Sequence, residues 1–284
     1  MSDAAVRTIG EVVREGTARL EQAAIELPRR EAERIWGALR RAAPADAVIH
    51  RDDPADAGDE IAFAEAVRRR AGGEPLAYVI GRWGFRHLEL RVDRRALIPR
   101  PETELLVELL LARVEHGTVA DLGTGSGCIA LSLLDEGRFD RVVALDRSPA
   151  ALALARENAA ITGFTPQFLL GDLTAPLATA SCDALVSNPP YLTDAEHAAL
   201  APDVRAWEPA QALASGADGM TATRALVADG LRVVRPGGWL AVELDASRAA
   251  VAAGLAAAAG WRDISVINDL FGRERYLLAR RSDA

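Results

Sequence analysis

Val119-Ala120-Asp121-Leu122-Gly123-Thr124-Gly125-Ser126-Gly127-Cys128-Ile129-Ala130-Leu131 runs from one apolar stretch through a glycine turn into another. That is the order of a buried strand, a tight turn and the start of a helix. Glycine supplies the positive φ such a turn needs and lets the backbone approach a ligand closely. The helix that follows presents N–H groups without intrahelical partners, which favour a carboxylate. A glycine turn alone also serves a dinucleotide or a purely structural bend. Here the spacing is G-x-G-x-G behind an acid, Asp121, and not the G-x-G-x-x-G of a dinucleotide fingerprint.

Working outward, the next strand, Arg141-Val142-Val143-Ala144-Leu145-Asp146, ends in an acid. An acid about 20 residues beyond a glycine turn is where a ribose diol is bound. Ser148 then reads as an N-cap and Pro149 as the first residue of a helix continuing to Asn158. A third strand, Gln167-Phe168-Leu169-Leu170, leads into Gly171-Asp172-Leu173, which places Asp172 for an adenine amino group. Taken singly, Asp146 and Asp172 are ordinary loop acids at strand ends. Three consecutive strand ends with one ligand logic point to S-adenosyl-L-methionine, and the missing sixth-position glycine argues against NAD.

A fourth strand, Ala184-Leu185-Val186, is followed by Ser187-Asn188-Pro189-Pro190-Tyr191. In open α/β sheets ligands bind at this edge. Two prolines remove two N–H donors and fix φ, leaving carbonyls free to face a ligand. Asn188 adds a side-chain carbonyl acceptor and Tyr191 a flat aromatic wall. The run also fits an ordinary proline-rich turn. Beside the cofactor pattern, it is suited to gripping a planar –NH2 group by both hydrogens.

The rest of the chain sets bounds. Its 284 residues suggest one or two domains. With 50% hydrophobic and 26% charged residues it has the composition of a soluble globular protein. No run is long and apolar enough to span a membrane, and Met1 to Glu15 lacks a signal-peptide core. Cys128 and Cys182 sit in apolar settings and read as reduced core residues. His50, His87, His116 and His197 are scattered, so no metal is expected. Val6 to about Arg70 reads as short helices anchored by Ile25, Leu27, Ile35, Trp36 and Leu39 and punctuated by Pro28, Pro44 and Pro54. Arg68-Arg69-Arg70 reads as a solvated helix face rather than a binding patch. After Gly72-Gly73, Tyr78 to Ile80 and Phe85 to Val92 read as two strands of a hairpin around Gly81-Arg82-Trp83-Gly84. Beyond Pro101 strands and helices alternate, as in a mostly parallel sheet with helices on both faces. The Ala249 to Ala259 stretch reads as a helix, and Asp263 to Asn268 with Arg275 to Ala279 as an antiparallel pair.

In this order the motifs resemble those of HemK-type protein-(glutamine-N5) methyltransferases, in the branch acting on peptide chain release factors. The pieces are Glu74 to Gly81, Leu97-Ile98-Pro99-Arg100-Pro101-Glu102-Thr103-Glu104, Asp121 to Cys128, Asn188 to Tyr191, Glu208-Pro209, Ala212-Leu213, Asp218-Gly219, Pro236-Gly237-Gly238 and Asp269 to Arg273 with Arg275. The run from Leu97 to Glu104 discriminates best. The resemblance extends from about Glu74 to Arg280, and the chain before about Arg68 matches poorly. It implies a seven-stranded Rossmann-like class I methyltransferase domain at 101–284. A small N-terminal helical domain at 1–73 that helps hold the substrate and a β-hairpin linker at 74–100 would complete the chain. It implies cofactor contacts from Phe85, Asp121, Gly123, Thr124, Gly125, Ser126, Gly127, Asp146, Asp172, Leu173 and Asn188. Substrate contacts would come from Arg100, Glu102, Thr103, Asn188, Pro189, Pro190 and Tyr191, with Asn188, Pro189 and Tyr191 catalytic. The implied partner is the Gly-Gly-Gln loop of a release factor, met by a cytoplasmic monomer without direct nucleic-acid or membrane contact. Where the family has Glu-x-Gly and then Gln, this chain reads Glu243-Leu244-Asp245-Ala246-Ser247-Arg248.

Other readings fit parts of the pattern. The same tetrapeptide type grips adenine amino groups in nucleic acids, but a net charge of −8 and a pI near 5.2 do not suit a phosphate backbone. A small-molecule amide or amine substrate would accommodate Asp245 and Arg248. A non-catalytic scaffold would leave the complete Asn-Pro-Pro-Tyr run without a use.

An amide nitrogen is a weak nucleophile because its lone pair is delocalised. Asn188 Oδ1 and the Pro189 carbonyl would each accept one N–H, orienting the nitrogen and stabilising the positive charge that develops on it. Asn188→Ala is expected to lower turnover about tenfold to a hundredfold, the equivalent of one lost hydrogen bond of roughly 1–3 kcal/mol. Wild-type turnover in a folded variant that still binds cofactor would contradict this assignment.

Overall fold

The computed structural model describes residues 6–283. Residues 1–5, part of the stretch read above as lacking a signal-peptide core, lie outside the described residues. The chain forms two compact units, one running up to Arg82 with Pro202–Trp207, the other comprising Trp83–Ala201 and Glu208–Ala284. The division at Arg82 falls inside the segment expected as a linker.

The first unit holds α1 (Ile9–Gln22), α2 (Pro28–Leu39), α3 (Asp46–Ile49), α4 (Ala57–Ala71) and α5 (Leu76–Ile80). Thr8 caps α1 reciprocally with Glu11, and the Asp56 carboxylate caps α4. Their apolar faces meet around Ile9, Val12, Leu20, Ile35, Trp36, Phe63 and Val67. Trp36 packs edge-on to Phe63 at 5.5 Å. Leu27 and Leu39, expected as anchors, are exposed, and Ile25 packs at the margin of this core. Only part of the Arg68–Arg70 run is a solvated face. Arg68 pairs with Glu65 along α4, whereas Arg69 pairs with Glu74 and the mostly buried Arg70 with Glu31 of α2.

Tyr78–Ile80, expected as a strand, is helical. Pro75 has an extended backbone, its carbonyl accepts from the Tyr78 and Val79 N–H groups, and Gly81 ends the turn at φ +78°. Ala77, Tyr78 and Val79 are all buried, which one helical turn permits and a strand with alternating faces does not. The hairpin lies further on, between β1 (Arg82–Phe85) and β2 (Leu88–Arg91), and turns at Arg86-His87.

The second unit is an α/β sandwich of doubly wound type. After α6 (Pro101–Leu111) come β3 (Thr118–Leu122), α7 (Cys128–Glu136), β4 (Arg141–Asp146), α8 (Pro149–Thr162), β5 (Gln167–Leu170) and β6 (Cys182–Ser187). Then follow α9 (Asp194–Ala199), the first unit's α10 (Pro202–Trp207), α11 (Thr221–Val233), β7 (Val234–Glu243), α12 (Ala249–Ala259), β8 (Arg262–Asn268) and β9 (Glu274–Arg280). The seven strands are ordered β5-β4-β3-β6-β7-β9-β8. All run in parallel except β9, which pairs antiparallel with β7 and with the edge strand β8. Each residue of β3 is buried, as expected of a strand covered on both faces. Val119 joins the core under α6, α7 and α8, while Ala120 and Leu122 join the one under α11 and α12. Ser148 and Pro149 open α8 as read, with Ser148 Oγ accepting from the Ala151 N–H at 3.2 Å.

The start of β3 is tightly built. Asp183 Oδ2 accepts from the Thr118 N–H and from Arg235, each at 2.6 Å. Gly117 precedes this contact at φ +93°, and a Cβ there would collide with the Asp183 carboxylate. Gly117→Ala is expected to cost about 1–3 kcal/mol, from backbone strain and the displaced carboxylate. Thermal unfolding should then fall by a few degrees; an unchanged midpoint would show that the turn relaxes freely.

Candidate active site

The chain leaves β3 toward β4 and β5 on one side and returns to β6 on the other. At such a reversal of strand order the carboxyl ends of the strands open into a cleft. A cavity of about 620 Å³ lies there, lined by Gly123 to Ser126 beyond β3, Asp146 and Ser148 beyond β4, Asp172 and Leu173 beyond β5, and Asn188 to Pro190 beyond β6. Arg95 to Arg100, Thr103 and Pro209 to Ala212 form further wall.

The glycine turn is pinned from below. Asp121, fully buried, accepts from Thr124 Oγ1 at 2.5 Å and from the Ala130 N–H at 3.2 Å. Burial pushes its carboxyl up to about 7 against those two hydrogen bonds, with the charge of Asp146 adding to the rise. The Gly123 and Thr124 N–H groups donate to the Leu145 carbonyl. Gly123, Gly125 and Gly127 all have positive φ. At Gly123 a Cβ would meet nothing within 4 Å, so the backbone lies bare on the cavity side. Asp146 Oδ2 accepts from the Gly125 N–H at 2.9 Å and Oδ1 from the Ser148 N–H at 2.8 Å. Burial raises this carboxyl too, opposed chiefly by those N–H groups.

Asn188 stands at the end of β6. Its Nδ2 donates to Thr103 Oγ1 at 2.9 Å, and Thr103 Oγ1 donates to Glu243 Oε2 at 2.8 Å. Thr103 and Glu243 are buried, and burial pushes the Glu243 carboxyl up to about 7. Arg100, on the cavity wall, has its guanidinium committed to the buried Glu208 at 2.6 Å.

The structure thus brings together Gly123, Thr124, Gly125, Ser126, Asp146, Asp172, Leu173, Arg100, Thr103, Asn188, Pro189 and Pro190. It places Phe85 in the hydrophobic core, Asp121 beneath the turn and Gly127 at the start of α7. Glu102 and Tyr191 also lie off the lining. The Glu102 carbonyl accepts from Tyr276 Oη at 2.6 Å, and burial, then the charge of Glu243, raises the Tyr191 phenol.

Residues outside the motif reading complete the framework. Asn158, buried on α8, donates to the Ser126 and Arg91 carbonyls and accepts from the Arg91 N–H, tying the glycine turn to β2. Leu192 pairs with the strip beyond Leu213 through Leu192 N–H to Leu213 O at 2.9 Å and Ser215 N–H to Leu192 O at 2.8 Å. The unusual Arg248 is buried and holds this wall, donating to the Asp218 carbonyl and pairing with Glu196 and Asp245. Asp245 itself caps the turn Ala246–Arg248 by accepting from the Ser247 N–H.

Comparison with known proteins agrees with this geometry. Residues 101–216 match the methyltransferase small domain and residues 11–81 the PrmC N-terminal domain. The second match reaches the helical segment that the motifs alone left poorly matched. The chain is 41% identical over 272 residues to the release factor glutamine methyltransferase of Cereibacter sphaeroides, covering 95% of this chain and 97% of that one. It is 42% identical over 286 residues to the enzyme of that name from Moorella thermoacetica, covering 98% of each. A methyltransferase from Pyrococcus furiosus shares the fold at 17% identity, with a TM-score of 0.53 over 69% of this chain and 90% of that one. With such identity through almost the whole of both chains, the protein belongs to the release factor glutamine methyltransferase family.

Proposed function

We infer that the protein transfers the methyl group of S-adenosyl-L-methionine to the side-chain amide nitrogen of the glutamine in the Gly-Gly-Gln loop of a peptide chain release factor. The observation that carries this reading is the opening of Asn188-Pro189-Pro190 onto the same cavity as the glycine turn and the acids Asp146 and Asp172.

The residues present fit the cofactor. The bare backbone at Gly123 suits its methionine end, Asp146 its ribose and Asp172 with Leu173 its adenine, and the cavity lies within the size range of small-molecule sites. When bound, it supplies an electrophilic methyl on a sulfonium. The protein's part is placement. Asn188 Oδ1 and the Pro189 carbonyl accept the two amide hydrogens, hold the nitrogen toward the methyl and stabilise the charge it gains. No strong base is needed, because the nitrogen becomes acidic once alkylated and gives its proton to water.

Incubation with S-adenosyl-L-methionine and an unmethylated release factor should add one methyl to the glutamine of the Gly-Gly-Gln peptide, read by mass spectrometry. An unmodified peptide, from protein shown to bind the cofactor, would overturn the substrate reading. Asp146→Ala should weaken cofactor binding by about one to two orders of magnitude in calorimetry, the scale of a charged hydrogen bond worth roughly 1.5–3 kcal/mol. Unchanged affinity would remove Asp146 from the ribose site.

A further inference from the structure

The two ends of a carboxamide are nearly the same size, and hydrogen bonding alone decides which way round it sits. At Asn188 that decision rests on Thr103. A hydroxyl has one proton to give, and an ionised carboxylate can only accept. The Thr103 proton is therefore committed to Glu243, 2.8 Å away. Thr103 Oγ1 has only lone pairs left for Asn188, and the group that meets them at 2.9 Å is Nδ2. Oδ1 is thereby turned away from Thr103.

We propose that Thr103 and Glu243 are positioning residues, that they keep Asn188 Oδ1 presented to the substrate amide, and that protonation of Glu243 reverses the relay. The proposal rests on the reading of Asn188 as the acceptor of the substrate amide. It assigns Thr103 a task different from the direct substrate contact implied by the resemblance. A buried side chain that receives from Asn188 and gives to Glu243 has no proton left for a substrate.

Glu243, at the end of β7, is 1% exposed. The titratable and charged groups around it are Arg100 before α6, Glu102 on α6, Cys128 on α7, Tyr191 beyond β6, and Arg275 and Tyr276 on β9. Arg275 is the cation that acts on it most strongly, but its Nε is engaged by Asp269 and its Nη1 faces the Leu244 carbonyl. Burial therefore prevails over the Thr103 hydrogen bond and the arginines, and the carboxyl titrates at about 7. Above that pH Glu243 is ionised and the relay runs from Asn188 through Thr103 to Glu243. Below it the protonated carboxyl donates to Thr103, the hydroxyl proton turns toward Asn188, and the carboxamide meets it with Oδ1. Its NH2 group then faces the site where an acceptor is needed.

The sequence holds three asparagines, Asn158, Asn188 and Asn268. Protein labelled with 15N-asparagine therefore gives three side-chain NH2 pairs, and the Asn188 pair is assigned by its loss in Asn188→Ala. In wild type that pair should shift with a midpoint near pH 7, as the carboxyl value predicts. It should stay flat in Glu243→Gln, move to the position of an unbonded amide in Thr103→Val, and recover in Thr103→Ser. With release factor as substrate, Thr103→Val should lose about tenfold to a hundredfold in kcat, with KM and cofactor affinity within about twofold. Thr103→Ser should restore most of the rate. Wild-type kcat should fall as pH drops through 7, and Glu243→Gln should lose that limb; a limb due to Asp121 would survive the substitution. A titrating Asn188 pair without methylation of the glutamine would support the relay and sink the substrate reading alone. An Asn188 pair indifferent to pH and to both substitutions, or an unaltered pH limb in Glu243→Gln, would overturn the relay.

Discussion

β3 and β6 lie side by side, Val119 opposite Ala184 and Asp121 opposite Val186, although the chain visits β4 and β5 between them. Every functional placement in the second unit depends on that pairing. Connections leave the two strands in opposite directions, so neither covers the other's carboxyl end. The cleft is what the topology leaves unfilled. Because parallel strands keep their ends level, the glycine turn, Asp146, Asp172 and Asn188 reach the same rim from four separate places in the sequence.

Around that rim the protein keeps acids where solvent cannot reach them. Asp121 near the end of β3, Glu243 at the end of β7 and Glu208 in the loop after α10 are buried, and each is answered differently. Glu208 has a full cation in Arg100. Asp121 has a hydroxyl and one backbone N–H, while its Oδ1 has no partner. Glu243 has the Thr103 hydroxyl. A buried carboxylate without a matched cation is costly. Those so placed include the one beneath the glycine turn, the one behind Asn188 and Asp146, which has only the Gly125 and Ser148 N–H groups, and this sets stability against geometry around the reaction centre.

The parts of this arrangement legible in the sequence are those governed by local rules. Apolar runs with an acid at or just beside their ends are β3, β4 and β5, and Ser148-Pro149 opens α8, because strand burial and helix capping involve only neighbours in the chain. Tyr78–Ile80 misled because a short apolar run fits a strand or one buried helical turn equally well, and the capping geometry at Pro75 and Gly81 decides between them. Leu27 and Leu39 are apolar by composition but point outward, which helix phase sets and a residue count does not. The N-terminal segment was legible as helices, but these carry packing without ligand-bearing motifs, so its kinship came from the match of residues 11–81 to the PrmC N-terminal domain. Glu243 was visible as the acid that opens the run in which Asp245 and Arg248 depart from the family pattern. Its partner Thr103 lies 140 positions earlier, and no local rule joins the two.

Arg248 gives the wall of the cleft a particular dynamic character. It joins Glu196 on α9, the Asp218 carbonyl and Asp245, while Leu192 is laced to Leu213 and Ser215. The buried guanidinium thus links α9, the loop at Asp218 and the turn at Asp245 through one side chain. Segments linked in this way tend to open together as one cooperative element. The amides of Leu192 and Ser215 would then exchange with solvent on a common clock rather than by gradual fraying.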